Sequence, residues 1–240
     1  MINRDFLKAG HLPTLLAAFF YFDMSFMVWV LLGALAVQMS AELGLEPAQK
    51  GFMVALPVLA IGLSLSPIGA SPEHYQQEGQ SLLYLLMKRV FAGPIPDGSD
   101  VQLHPTALAG WAGLLVTMIN MLPWGQLDGG HIAFALFGER QNAIARWVRR
   151  SLLLLFAFNV LRFVGPVLLH RSSLGYVLAI SNSLFWLVWY GFTGLVGRVS
   201  GGADHPPFEP GELGRGRRAV AWLCLIMFAL LFMPTPYAAY

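Results

Sequence analysis

Asp128 stands in the string Asn120-Met-Leu-Pro-Trp-Gly-Gln-Leu-Asp128-Gly-Gly-His131, where one apolar run gives way to a shorter one. A carboxylate at membrane depth costs several kcal/mol unless it is paired, hydrated or bound to a metal, so Asp128 is a functional-site candidate on chemistry alone. His131 falls on the same helical face, and an Asp-x-x-His pair of this kind binds a metal weakly. Plainer readings exist for each residue. Asp128 can be a helix N-cap, accepting from the free N–H groups near His131. His131 can be a hydrogen-bonded interior imidazole, and Asn120 an amide that satisfies a bend. A catalytic zinc needs about three protein ligands and a water, with a base beside that water. This string offers one carboxylate and one imidazole.

The remaining titratable groups add little. Glu73 and His74 are adjacent and, with Glu78, sit in a polar segment that reads as solvated; Asp204-His205-Pro-Pro reads as loop. Arg162, close to Gly165 and Pro166, marks a broken helix or snorkels to an interface. There is no Ser/His/Asp arrangement, Walker loop or dinucleotide fingerprint.

The elements that must position Asp128 are apolar. The 240 residues are 56% hydrophobic and 12% charged, with a mean hydropathy of +0.60. Soluble domains carry about 25% charged residues, so a membrane protein is expected. The net charge is +2 and the basic residues are scattered, which argues against a nucleic-acid partner. Cys224 is alone, so no intrachain disulfide can form, and it reads as a packed small hydrophobe. Runs suited to crossing about 30 Å of hydrocarbon are Leu12–Met39, Gly51–Ala70, Pro105–Trp124, Ser151–Leu169, Leu174–Val196 and Ala219–Met233. The first is too long for a cleavable signal core and carries Asp23, which needs a partner or water.

Leu127–Phe137 is too short to span, and Pro123 and Gly125 break the backbone just before it. The expected geometry is a span, a buried bend at 120–127 and a return helix starting at Asp128, with Gly129 and Gly130 allowing close approach. Leu82–Phe91 reads as an amphipathic helix at the interface, and residues 198–218 as a loop. With the N-terminus in the cytoplasm and 105–138 going out and back, twelve of the fifteen Lys and Arg fall on the cytoplasmic side. The fold class is therefore all-α: a polytopic membrane helix bundle of about six spans plus the short return helix.

The Asn120–His131 string resembles the Asn-x-x-Pro-x-x-x-Leu-Asp-Gly-Gly motif of the site-2 protease family. The resemblance extends over residues 61–240, through Glu78-Gly-Gln-Ser-Leu-Leu-Tyr, His104-Pro-Thr-Ala-Leu-Ala-Gly-Trp-Ala-Gly and Asp204-His-Pro-Pro. It implies an intramembrane zinc metalloendopeptidase in a bacterial inner membrane, acting on transmembrane protein substrates amid membrane lipid. Asp128 would be the third zinc ligand, with Asn120 near the substrate. The other two ligands and the base belong to an HExxH helix, and this chain has no HExxH. In its place, residues 4–59 resemble the start of a nitrate/nitrite porter of the major facilitator superfamily, from Arg-Asp-Phe-Leu-Lys-Ala-Gly-His onward. The arginine that such porters place in the second helix is missing from Ile61-Gly-Leu-Ser-Leu-Ser-Pro.

Two domains are expected, porter-like residues 1–60 and a protease-like core 61–240. The join reads as a chimera, by natural fusion, misassembly of the reading frame or design. The resemblances imply a metalloendopeptidase core that is inactive as a lone chain; the alternatives are a pseudoprotease that binds transmembrane segments and, third, a fragment of a nitrate/nitrite transporter. Residues 1–60 should form two helices packed loosely on the rest, with Asp23 facing water or a polar group.

One carboxylate and one imidazole leave a zinc shell half empty. The purified chain is thus expected to carry well under one zinc per molecule. Elemental analysis that finds one zinc per chain, lost on Asp128→Ala, would contradict this.

Overall fold

The computed structural model describes residues 47–70, 75–125, 127–170, 172, 174–199 and 214–240. The expected span Leu12–Met39, Asp23, most of the porter-like stretch, Glu73, His74 and Asp204-His205 lie outside the described residues. In chain order the elements are α1 (Pro47–Ser64), β1 (Ile68–Ala70), β2 (Gln76–Glu78), α2 (Leu82–Phe91), β3 (Ser99–Val101), α3 (Pro105–Asn120), α4 (Asp128–Phe137), α5 (Arg140–Leu168), α6 (Tyr176–Ser183), α7 (Phe185–Val199), α8 (Arg215–Leu231) and β4 (Tyr237–Ala239). The described part is mostly helical, as composition and periodicity imply. It also contains two small antiparallel sheets, β1 with β3 and β2 with β4, which the sequence reading did not foresee.

Several expected spans are shorter than their apolar runs. Among the described residues one helix, α5, is long and apolar enough to cross a membrane. Helices α6 and α7 together meet the same length and composition but are bent by 43° at Leu184. At about 1.5 Å per residue, the 16 residues of α3 cover about 24 Å. The discrepancy has a local cause. Apolar residues at the ends of the runs leave the helices for other work: Ile68–Ala70 form β1, Met121–Trp124 form the bend, and Phe232 and Met233 open the C-terminal tail. Helix α5 passes Gly165 and Pro166 without a break, so Arg162 does not mark a broken helix; its guanidinium lies over Phe163 and reaches the Thr235 hydroxyl at 3.4 Å.

Helices α1 and α3 cross with their backbones in contact. A Cβ on Gly62 would overlap the backbone of Ala107, and a Cβ on Gly110 would overlap the backbone of Leu59. Small residues at a crossing let helices close to this distance and gain dispersion contact along their length. Around it lie buried Ala55, Leu59, Leu63, Ala107, Leu114 and Met118. Helix α1 runs through residue 60 without interruption. The loose packing expected of the front end is therefore not found in its described portion.

The C-terminal tail ties the bundle together through polar bonds. The Pro234 carbonyl accepts from Asn159 Nδ2 at 3.0 Å and from Trp186 Nε1 at 2.7 Å. Thr235 Oγ1 donates to Asn159 Oδ1 at 2.7 Å, and Asn182 exchanges two bonds with the backbone of Ala239. Gly79 N–H donates to the Pro236 carbonyl at 2.9 Å, while Trp111 Nε1 donates to the Gly79 carbonyl at 3.0 Å. Each of these amides and indoles would cost about 1–3 kcal/mol if buried unpaired.

Because the α1–α3 crossing has no room for a side chain, Gly110→Leu should destabilise the chain by at least about 2 kcal/mol. Thermal unfolding of the detergent-solubilised protein would detect the drop; an unchanged midpoint would contradict the crossing.

Candidate functional site

The chain leaves α3 at Asn120 and enters α4 at Asp128 through a compact bend. Short main-chain bonds brace it: Met121 N–H bonds the Thr117 carbonyl at 2.9 Å, Leu122 N–H that of Ile119 at 3.1 Å, and Leu127 N–H that of Trp124 at 3.2 Å. Met121, Leu122 and Trp124 are buried. Gly125 adopts φ +53°, where a glycine carries no Cβ penalty. Helix α4 then starts directly against this bend. A Cβ on Gly129 would overlap the Met121 carbonyl, and one on Gly130 would overlap the Gly125 carbonyl. The close approach expected of the two glycines is thus real, and its partner is the bend itself.

The bend is buried, and a helix begins at Asp128, as expected. Asn120 is exposed at the last turn of α3, and Asp128 is half-buried at the first position of α4. The two residues therefore mark the two ends of one bend. Leu127 is the cap residue, and its carbonyl accepts from His131 N–H at 3.0 Å without any side-chain cap bond. Asp128 is therefore not the N-cap. Its carboxylate sits where the helix dipole favours negative charge, with His131 as its electrostatic neighbour.

The donor set does not fit a catalytic zinc. Among the described residues no group of three His, Cys, Asp or Glu side chains is gathered closely enough to hold a metal ion. Asp128 and His131 are two. His104 is used elsewhere: it caps α3, its Nδ1 accepting from Thr106 N–H at 3.3 Å while its main-chain N–H donates to Ser66 Oγ at 2.8 Å. No hydrolytic step through zinc is assigned to these residues.

A second polar cluster escaped the sequence reading. Glu78 is not solvated. Its carboxylate accepts from the Tyr84 hydroxyl at 2.6 Å and lies 3.7 Å from Lys88 Nζ. Lys88 is 5% exposed, so its charge must be met inside, and Asp100 meets it at 2.7 Å. Burial, reinforced by Glu78, holds the Tyr84 phenol far above its ordinary range, so it remains a donor at physiological pH. The cluster borders a cavity of about 320 Å³ between the two small sheets, lined in part by Tyr75, Gln76, Gln102 and Tyr237. The available signal was the single Lys88 one turn after Tyr84, on the polar side of α2. Helix α2 buries Tyr84 and Lys88 and exposes Leu82, Leu85, Leu86, Val90 and Phe91, the reverse of a soluble helix.

A profile described as Peptidase family M50 matches residues 51–164. The chain is 30% identical over 138 residues to "Probable zinc metalloprotease EGY2, chloroplastic" of Oryza sativa subsp. indica, covering 56% of this chain and 25% of that protein. It is 26% identical over 204 residues to "Probable zinc metalloprotease EGY1, chloroplastic" of Arabidopsis thaliana, covering 80% of this chain and 32% of that protein. It is 32% identical over 139 residues to "Probable zinc metallopeptidase EGY3, chloroplastic" of the same plant, covering 57% and 20%. The chain thus spans a third or less of the length of these curated relatives. Their names place them in chloroplasts and lend no support to a bacterial membrane. No solved structure matches the chain.

The contact between α4 and the bend predicts that Gly129→Ala destabilises by about 2 kcal/mol, because a backbone carbonyl must move. Gly165→Ala, where a Cβ meets nothing within 4 Å, should be neutral or mildly stabilising. Unfolding midpoints of the two variants would separate them; equal midpoints would contradict the contact.

Proposed function

We propose, for a chain that belongs to peptidase family M50 over residues 51–164, the role of a site-2-protease-like membrane core that holds a transmembrane segment beside the 120–128 bend and does not cut it as a lone chain. The observation that carries this reading is the bend itself. Asn120 and Asp128 stand at its two ends, backed by Gly129 and Gly130, while no third metal donor joins Asp128 and His131 among the described residues.

The surface supports a membrane setting. Leu154, Leu161, Val177, Val188 and Leu195 each expose more than half their area, as do Leu82, Leu86 and Val90 of α2. Water penalises apolar area by roughly 25 cal/mol per Å², a penalty that lipid removes. The apolar runs and the distribution of Lys and Arg support a polytopic bundle with a cytoplasmic N-terminus as part of this reading. The partner in this reading is a single-span protein. The catalytic alternative requires two more ligands and a base, supplied by a second chain or a longer form of this one. The names of the relatives make zinc the metal to expect in that case. No observation among the described residues favours a transporter fragment.

Cleavage needs both an activated water and a base, and groups that act as a unit lose nearly all rate when the unit is incomplete. Co-expression of the chain with a labelled single-span reporter should therefore give no product, for the parent and for Asp128→Asn alike. Product that Asp128→Asn abolishes would show a completed site and overturn this reading.

A further inference from the structure

Helices α5 and α7 border an open cavity of about 470 Å³ whose lining includes Arg149, Tyr190, Gly191, Gly194 and Arg198. Arg149 is built into its wall. The guanidinium carbon lies 4.3 Å from the centre of the Tyr190 ring, a stacking that Arg makes well and Lys does not. A Cβ on Gly194 would come within 2.8 Å of Arg149 Nη2, so glycine at 194 clears the space the guanidinium fills. Despite this, Arg149 Nε is buried with no hydrogen-bond partner. A buried charged donor left unpaired is costly, and its geometry asks for an acceptor oxygen. The neighbouring Arg150 behaves differently, exposed and lying over Trp147.

The level of these residues along the helices indicates what supplies that oxygen. Arg149 comes two residues before the apolar run Ser151–Leu169, and Arg198 closes the apolar run that ends at Val196. Arg149 meets Tyr190 and Gly194, so the N-terminal third of α5 lies beside the middle of α7, and Arg198 follows one turn after Gly194 on the same cavity. Both arginines therefore sit at the same end of their apolar segments, where phospholipid phosphates lie. Basic pockets between helices at this depth bind anionic lipid head groups, and a guanidinium fork matches two phosphate oxygens. We propose that the α5–α7 cavity is a phosphate site filled by the phosphodiester of an anionic phospholipid. Gly191, where a Cβ would meet nothing within 4 Å, leaves room for the head group. The site is separate from the 120–128 bend, and it relies on the membrane setting argued above but not on any protease-like activity.

Native mass spectrometry of the full chain tests this, after extraction in detergent holding equal mole fractions of phosphatidylglycerol and phosphatidylcholine. The parent should retain one phosphatidylglycerol in preference to phosphatidylcholine. Arg149→Gln and Arg198→Gln should each reduce that retention by about tenfold, and Arg150→Gln should leave it unchanged. Arg198 is an exposed helix-end residue, so its variant reads the site even where Arg149→Gln does not fold. A second arm adds inorganic phosphate: failure to displace the lipid supports the phospholipid, whereas binding of phosphate without lipid preference would assign the cavity to a free anion. Equal retention of the two lipids, or equal loss in Arg150→Gln, would overturn the proposal. A chain that is soluble without detergent would instead remove the membrane premise, an outcome visible before any lipid is counted.

Discussion

Two glycines set how closely α4 can press on the bend before it. The carbonyls of Met121 and Gly125 lie where the Cβ atoms of residues 129 and 130 would be, so any side chain there drives the return helix away. In apolar surroundings this matters twice. The bend must satisfy its own main-chain groups, and short-range N–H to carbonyl bonds from Met121, Leu122, Trp124 and Leu127 serve this. It must also be covered, and α4 covers it. Asn120 and Asp128 owe their places at the two ends of the bend to that arrangement.

The same rule organises the rest of the described molecule. Several buried polar side chains tie the helices to backbone outside them. Asn159, Asn182 and Trp186 bond the C-terminal tail, and Trp111 bonds the Gly79 carbonyl. Lys88 is the charged version of the pattern. Buried beneath α2, it links Asp100 of β3 to Glu78 of β2 and so joins the two small sheets. Removing one partner of such a buried set leaves an uncompensated charge, typically worth about 3–5 kcal/mol.

What was legible in the sequence is what local chemistry fixes. Pro123 and Gly125 announced the bend, the polar-to-apolar change at Asp128 announced α4, and the ten residues Leu82–Phe91 appeared as a helix with the boundaries expected. Long-range pairing was not legible. Glu78 reads as solvated until Tyr84 and Lys88 are folded against it, and Lys88 reads as one more cytoplasmic basic residue until Asp100, twelve residues on, is brought to it. The helix ends were misjudged because an apolar run does not record whether its last residues continue the helix, pair as a strand or turn. Three residues at 68–70 made that difference for α1. The functional expectation rested on a string whose chemistry is specific, but its missing partners are a matter of which segments share the chain, which periodicity does not reveal.

The account stands or falls on whether a transmembrane segment sits at the bend and remains whole. Photo-crosslinkers placed at position 120 and, for comparison, at exposed position 161 of α5 would be presented with a labelled single-span peptide in nanodiscs, and the adducts weighed. The account predicts an adduct from position 120 bearing the full peptide mass, and none above background from position 161. Equal labelling from both positions, or an adduct bearing only a cleaved fragment, would contradict it.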